Sequence, residues 1–81
     1  MIELRVKLFS HLKYHFGQDE LIISFDGKPD SDQLRARIDR MCEQININTP
    51  YRLAVNHSFI SQKIPLNKDD EIAVIPPVQG G

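Results

Sequence analysis

The sequence predicts a two-layer α+β domain in which a mixed β-sheet packs on one main helix. Three observations point to this class. The length of 81 residues suits one domain, which at this size buries roughly 60% of its unfolded surface. Apolar residues alternate with polar ones near both ends of the sequence, as in strands that bury one face. Between them, one stretch repeats its apolar residues at helical spacing.

The first strand is predicted over residues 2–9, where every second side chain is apolar: Ile2, Leu4, Val6 and Leu8. A short helix is predicted to follow. Ser10 is its expected N-cap and Gly17 its left-handed terminator, while Leu12 and Phe16 lie four residues apart on one face. This helix has two turns at most.

A second strand and the main helix come next. The strand is predicted over residues 20–26, and its alternate apolar side chains are expected to face the core: Leu21, Ile23 and Phe25. Either Asp30 or Ser31 is suited to cap the main helix. Its apolar stripe is predicted to contain Leu34, Ile38, Met41, Cys42 and Ile45.

The last third of the chain predicts three further strands. One covers residues 52–56, a turn follows at 56–58, and residues 59–60 form a short returning piece. The final strand covers 71–75 and ends at Pro76, because proline cannot donate to a sheet ladder. The order of elements predicts that this final strand lies in the centre of the sheet.

The predicted domain therefore comprises residues 1–77, followed by a flexible tail over residues 78–81. Pro76 and Pro77 fix their own φ angles and restrict the residues before them. We expect the tail, Val78-Gln79-Gly80-Gly81, to project from the fold.

Composition argues against several functional classes. The net charge is −1 and no basic run is present, so nucleic acid is not an expected partner. Apolar runs are far shorter than the roughly 20 residues that cross a bilayer, and the first residues do not resemble a signal peptide. The single cysteine excludes an internal disulfide. We expect a cytoplasmic protein.

The body of the predicted domain contains no recognisable active site. His11 and His15 are spaced to ligate a metal from one helix face, but no third ligand is nearby, which favours solvated side chains. Cys42 lies on the apolar stripe without an obvious base, which favours a buried thiol over a nucleophile. The acidic residues 69–71 are more typical of a turn than of a cation site.

The two glycines Gly80 and Gly81 are the remaining candidate. An extended Gly-Gly has no Cβ atoms, so it fits a narrow channel in a partner enzyme. Its carboxylate is inert until it is activated, for example as an acyl adenylate. The alternative is a frayed end without a role.

The second half of the chain contains several motifs of one known family. These motifs are Val55-Asn56, Pro65-Leu66, Asp70-Glu71-Ile72 and Pro76 to Gly81. In them the chain resembles the small subunits of molybdopterin synthase, which are ubiquitin-like β-grasp sulfur carriers of the MoaD/ThiS family. The opening of the chain is also similar, since Phe9-Ser10 precedes a short helix that ends at Gly17.

This resemblance implies a mechanism and a set of partners. An E1-like adenylyltransferase would activate Gly81 with ATP and Mg²⁺, and a sulfurtransferase or cysteine desulfurase would supply sulfur to form a thiocarboxylate. The tail would then enter the large subunit of the synthase, within a heterotetramer, and deliver sulfur to cyclic pyranopterin monophosphate. The resemblance implies no cofactor and no metal bound by this chain itself.

The resemblance also implies which residues meet the partners. Positions that face the large subunit in the family correspond here to Phe9, Phe59 and Ile75, and the tail from Pro76 onward is the inserted segment. Phe9 lies on the otherwise charged face of the first strand, where an exposed aromatic ring suits an interface. The alternative is that Phe9 and Phe59 pack under a loop.

Departures from the family pattern leave alternatives open. The turn before the last strand lacks the usual glycine, so Asn67 or Asp69 is expected to supply any left-handed conformation. Ile75 replaces a residue that is often aromatic. Related carriers serve thiamine, tungsten cofactor or other sulfuration, and a ubiquitin-like modifier would be joined to lysines through Gly81. Pro76-Pro77 favours the molybdopterin route among these.

Overall fold

The computed structural model describes residues 1–77. This part of the chain forms five strands and two helices, with the bounds β1 Ile2–Leu8, α1 His11–Phe16, β2 Glu20–Phe25, α2 Ser31–Gln44, β3 Arg52–Val55, β4 Ser58–Phe59 and β5 Ile72–Ile75. All predicted elements are therefore present, and the expected α+β architecture is confirmed.

The strands form one mixed sheet in the order β2-β1-β5-β3-β4. β5 pairs parallel with β1 and antiparallel with β3, while the β1–β2 and β3–β4 pairs are antiparallel. The predicted central position of the last strand is confirmed. As a result, the segment that leads into the tail is hydrogen-bonded on both sides.

The core lies between the sheet and α2. Alternate residues of the long strands point into it, and α2 contributes Leu34, Ile38 and Cys42, all buried. Met41 packs at the edge of this core. The prediction that Ile45 shares the stripe is wrong: α2 ends at Gln44, so Ile45 leaves the helical path and is 40% exposed.

Asp30 caps α2 through a reciprocal pair of hydrogen bonds. Its Oδ1 accepts from the amide of Gln33 at 2.8 Å, and its own amide donates to Gln33 Oε1 at 2.9 Å. This capping box satisfies two donors at the helix start. Ser31, the other candidate, is buried and instead accepts from the Ile64 amide at 3.0 Å.

α1 is terminated as predicted but begins differently. Gly17 adopts the left-handed conformation, with φ 70°, and its amide closes the last turn. Ser10 makes no capping hydrogen bond with its side chain, which corrects the expected N-cap. Its φ of 58° departs from the extended backbone that a capping residue normally adopts.

Two left-handed residues form the β3–β4 turn. Asn56 and His57 have φ values of 51° and 73°, the pattern of a type I′ hairpin turn. Asn67 and Asp69 do not have positive φ, so the turn before β5 uses no left-handed residue in place of the missing glycine. The turn before β5 closes instead through the Asp70 amide, which donates to the Asn67 carbonyl at 3.0 Å.

Neither helix within residues 1–77 has both the length and the apolar character needed to cross a bilayer.

Candidate functional site

The face of the sheet away from α2 contains an apolar groove. Its floor is a cross-strand pair of small residues, Ala54 on β3 and Ala73 on β5, which lie opposite each other in the register. Phe9, Phe59 and Ile75 line the groove above this floor. The groove has a volume of about 280 Å³, enough for one or two large apolar side chains of a partner.

The strand period explains why these residues share one face. In β5, Ile72 and Val74 point into the core, so Ala73 and Ile75 point outward. Phe9 follows the last residue of β1 and remains 43% exposed, while Phe59 is 51% exposed. Neither ring is therefore covered by a loop of residues 1–77. Two large apolar groups exposed around one depression are typical of a binding surface.

Polar side chains also line the groove. His57 and Glu71 lie at the end away from the tail, and Lys7 pairs with the floor residue Ala73. The Nε2 atom of His57 lies 2.7 Å from Oε2 of Glu71. Both side chains are more than half exposed. The contact holds the two side chains together at this end of the groove, but it contributes little to the free energy of folding.

The tail leaves the fold beside this groove. Ile75 is the last residue of β5 and lines the groove, Pro76 is buried, and Pro77 is exposed. A buried proline after a central strand fixes the direction in which the chain departs. The predicted tail residues Val78, Gln79, Gly80 and Gly81 lie outside the described residues.

The other candidates from the sequence do not form a second site. The rings of His11 and His15 are 5.6 Å apart, and no group of three metal-ligating side chains occurs within residues 1–77. Cys42 is buried. Burial, followed by the charge of Asp39, raises the pKa of its thiol, so the thiol stays protonated and packs as an apolar group.

Asn56 connects the β3–β4 turn to the start of β5. Its Oδ1 accepts from the Glu71 amide at 2.9 Å, and its Nδ2 donates to Asp70 Oδ1 at 3.1 Å. The other carboxylate oxygen of Asp70 accepts from the Asn67 amide at 2.8 Å. The acidic cluster is therefore engaged in turn structure, as expected. The role of Asn56 was not foreseen, although Val-Asn at this place was part of the recognised motif.

Two comparisons of the sequence locate the chain within a family. Residues 6–81 match the ThiS family. A curated relative, the molybdopterin synthase sulfur carrier subunit of Dictyostelium discoideum, is 35% identical over 83 residues, which cover 98% of this chain and 96% of that protein.

Solved structures share the fold. One assigned as molybdopterin converting factor subunit 1 from Pyrococcus furiosus superposes with a TM-score of 0.80 at 23% identity, covering 96% of this chain and 100% of that one. A chain in the complex of subunits 1 and 2 of molybdopterin-converting factor from Helicobacter pylori gives a TM-score of 0.66 at 25% identity, covering 99% and 100%. With the family match over residues 6–81, the chain belongs to the ThiS family and has the ubiquitin-like β-grasp fold.

Proposed function

We propose that this chain is the sulfur carrier subunit of a molybdopterin synthase and that Gly81 carries the sulfur as a thiocarboxylate. The observation that carries the proposal is the 35% identity to a molybdopterin synthase sulfur carrier subunit over 98% of this chain. The ThiS family match also extends to residue 81, so it includes both tail glycines.

The proposed chemistry begins with activation of the Gly81 carboxylate. The carboxylate attacks the α-phosphorus of ATP on an E1-like adenylyltransferase, with Mg²⁺ on the phosphates, and pyrophosphate leaves. A persulfide sulfur from a sulfurtransferase or cysteine desulfurase then attacks the acyl carbon, and AMP leaves. A thiol reductant cleaves the resulting S–S bond, which leaves one sulfur on Gly81.

Delivery takes place in the large subunit, where the tail from Pro76 to Gly81 enters a channel. The thiocarboxylate sulfur attacks a carbon of the cyclic pyranopterin monophosphate and displaces an oxygen substituent from it. Water then cleaves the bond between the Gly81 acyl carbon and sulfur, which leaves the sulfur on the pterin and restores the carboxylate of Gly81. Each dithiolene needs two sulfur atoms and therefore two loaded carriers. Catalytic residues for this step belong to the large subunit, and the complex is proposed to be a heterotetramer.

The groove supports this proposal through its position. Phe9, Phe59 and Ile75 form an exposed apolar surface directly beside the tail exit, so one docking event would both cover the surface and direct the tail into the partner. Covering exposed apolar area stabilises a complex by about 25 cal/mol per Å² before the losses of association are subtracted. We propose that the large subunit occupies this groove.

A reconstituted reaction tests the proposed function. The chain is prepared in two forms, with a thiocarboxylate and with a carboxylate at Gly81, and each is mixed with the large subunit and the pyranopterin precursor. The proposal predicts dithiolene product only from the thiocarboxylate form, at a yield of one product for two carriers. It is contradicted if a large subunit that is active with its own carrier forms no product with the loaded chain.

A further inference from the structure

Arg52 lies over the outer wall of the groove. Its guanidinium carbon is 4.0 Å from the centre of the Phe59 ring, which is within the range of a cation–π contact. Arg52 is the first residue of β3 and pairs with Ile75, the last residue of β5 before the tail. Arg52 therefore belongs to the strand between β5, which leads to the tail, and β4, which carries Phe59.

This contact restricts how Phe59 is presented. Phe59 belongs to the two-residue strand β4 at the edge of the sheet and is 51% exposed, so neighbouring packing alone leaves its ring free to change rotamer. A stacked guanidinium group covers one ring face and leaves the rest of the ring for the groove. An exposed contact of this kind favours the stacked rotamer roughly two- to fivefold.

The hydrogen-bonding capacity of Arg52 is not used by residues 1–77. Two other arginines also lie over rings, Arg35 over Tyr51 and Arg37 over Phe25, but both belong to α2 on the opposite side of the sheet. Arg37 also donates to the Ser24 carbonyl at 3.2 Å. Arg52 donates no hydrogen bond and forms no ion pair within the described part of the chain.

The charges around the groove indicate the kind of group that Arg52 meets. Glu71, the carboxylate in the groove lining, lies against His57 at the far end. At the tail end, Arg52 is exposed, and its guanidinium group lies against the Phe59 ring. Because guanidinium pairs with carboxylate in a planar, two-pronged geometry, an acidic side chain is the complementary partner group.

We propose that Arg52 is a positioning and specificity residue for docking of the large subunit. It holds Phe59 as a wall of the groove, and it pairs with an acidic side chain of the large subunit beside the entry of the tail channel. This inference rests on the proposed function, because it assigns the groove to the large subunit.

The test is the affinity of Arg52→Met for the large subunit, measured by calorimetry at several salt concentrations. Methionine keeps apolar bulk but removes both the cation and the donors. Loss of the stack and of one rim ion pair predicts roughly a five- to twentyfold weaker Kd and a smaller dependence of Kd on salt. Arg52→Lys keeps the charge but lacks the planar guanidinium group, so its Kd should lie between those of the wild type and Arg52→Met.

Arg35→Met is the matched control, because it removes the same charge and another arginine–ring contact on the side of the sheet away from the groove. It should bind with the affinity and salt dependence of the wild type. In a Phe59→Leu background, Arg52→Met should change the Kd for the large subunit by a smaller factor, since no ring remains to be positioned. Melting temperatures are measured on every variant, and Arg52→Met should match the wild type because its side chain is exposed.

The outcomes separate the two proposals. If the wild type binds the large subunit and Arg52→Met binds equally well, or if Arg35→Met weakens binding by the same factor, the role of Arg52 is overturned while the proposed function stands. If the wild type does not bind a large subunit that accepts its own carrier, the proposed function is wrong and the inference about Arg52 falls with it.

Discussion

Asn56 couples two segments that are distant in sequence. It has φ of 51°, its amide donates to the Glu71 carbonyl at 2.7 Å, and its side chain bonds Asp70 and the Glu71 amide. These contacts fix the start of β5, the strand that leads to the tail. Asparagine suits the position because it tolerates left-handed backbone and both donates and accepts.

Replacing Asn56 separates its backbone role from its side-chain role. Asn56→Gly keeps the left-handed conformation but loses two hydrogen bonds, so the free energy of unfolding should fall by about 1–2 kcal/mol. Asn56→Ala loses the same hydrogen bonds and also places an alanine in the left-handed conformation. Its free energy of unfolding should be lower than that of Asn56→Gly by roughly 1 kcal/mol. Urea unfolding of the three proteins measures both steps, and equal stability of all three would refute this role.

Tyr51 joins α2 to the sheet and makes stability depend on pH. Its hydroxyl donates to Asp39 Oδ1 at 2.7 Å and lies 3.2 Å from the Arg35 carbonyl. Burial first, and then the hydrogen bond to Asp39, raise the pKa of Tyr51 well above its ordinary value. The neutral phenol is therefore favoured in the folded state.

The sign of the pH dependence follows from this raised pKa. Below about pH 10, the unfolded Tyr51 is also neutral, and its full contribution to stability is present. Above that pH, the unfolded state loses a proton that the folded state keeps, so stability falls. Urea titrations from pH 8 to about pH 11 should show a steeper loss for the wild type than for Tyr51→Phe; parallel losses would contradict the assignment.

Residue-level features of the groove were only partly predictable. The exposure of Phe9 follows from alternation in the predicted first strand, whereas Phe59 and Ile75 are assigned to this surface through the family resemblance. Arg52 and Asn56 do not follow from it, since their contacts with Phe59 and with residues 70–71 depend on strand pairing and turn geometry. Local sequence patterns carry no direct record of which distant segments pair.

At the level of elements, α2 depends on its first turn. Asp30 closes the capping box and also forms an isolated bridge with Pro65, so the cap ties the helix to the loop before β5. Asp30→Ala should lower the free energy of unfolding by about 1 kcal/mol. Asp32→Ala, which removes an exposed charge from the same turn, should change stability by a few tenths of a kcal/mol. Chemical denaturation compares them, and equal losses would argue against the cap.

The predictable elements are those whose pattern is local. The bounds of β1 and the start of α2 agree closely with expectation, because β1 has one apolar face and α2 begins at a residue type that caps helices. The start of α1 does not, because Ser10 has the residue type of a cap without its backbone conformation. The end of α2 differs for a similar reason: Ile45 continues the helical spacing in sequence, yet the helix ends before it.

The groove exists because β3 and β5 carry small residues at one cross-strand pair. Ala73→Leu should fill the floor and weaken binding to the large subunit by roughly 1–3 kcal/mol, with little loss of fold stability because the added atoms face outward. Ser24→Leu, which adds bulk to the outer face of β2 away from the groove, is the control. Titration calorimetry distinguishes them. Unchanged binding of Ala73→Leu would remove the groove from the interface.

At the scale of the whole molecule, the order of the strands places β5, the strand before the tail, in the centre of the sheet. The central position of β5 means that neighbouring strands on both sides, β1 and β3, hold the segment that leads to the tail. The outer face beside it presents the groove, while α2 covers the opposite face. The described part of the fold thus ends at Pro77 beside an exposed apolar groove.

The measurement that tests the central claim most directly is the intact mass of the chain after incubation with the activating enzyme, ATP, Mg²⁺ and a sulfur donor. Exchange of one oxygen for sulfur at Gly81 predicts a gain equal to the difference between the two atomic masses, located in the C-terminal peptide. A chain lacking Gly80 and Gly81 should not gain it. An unchanged mass, while the enzyme loads its own carrier in the same mixture, would contradict the account.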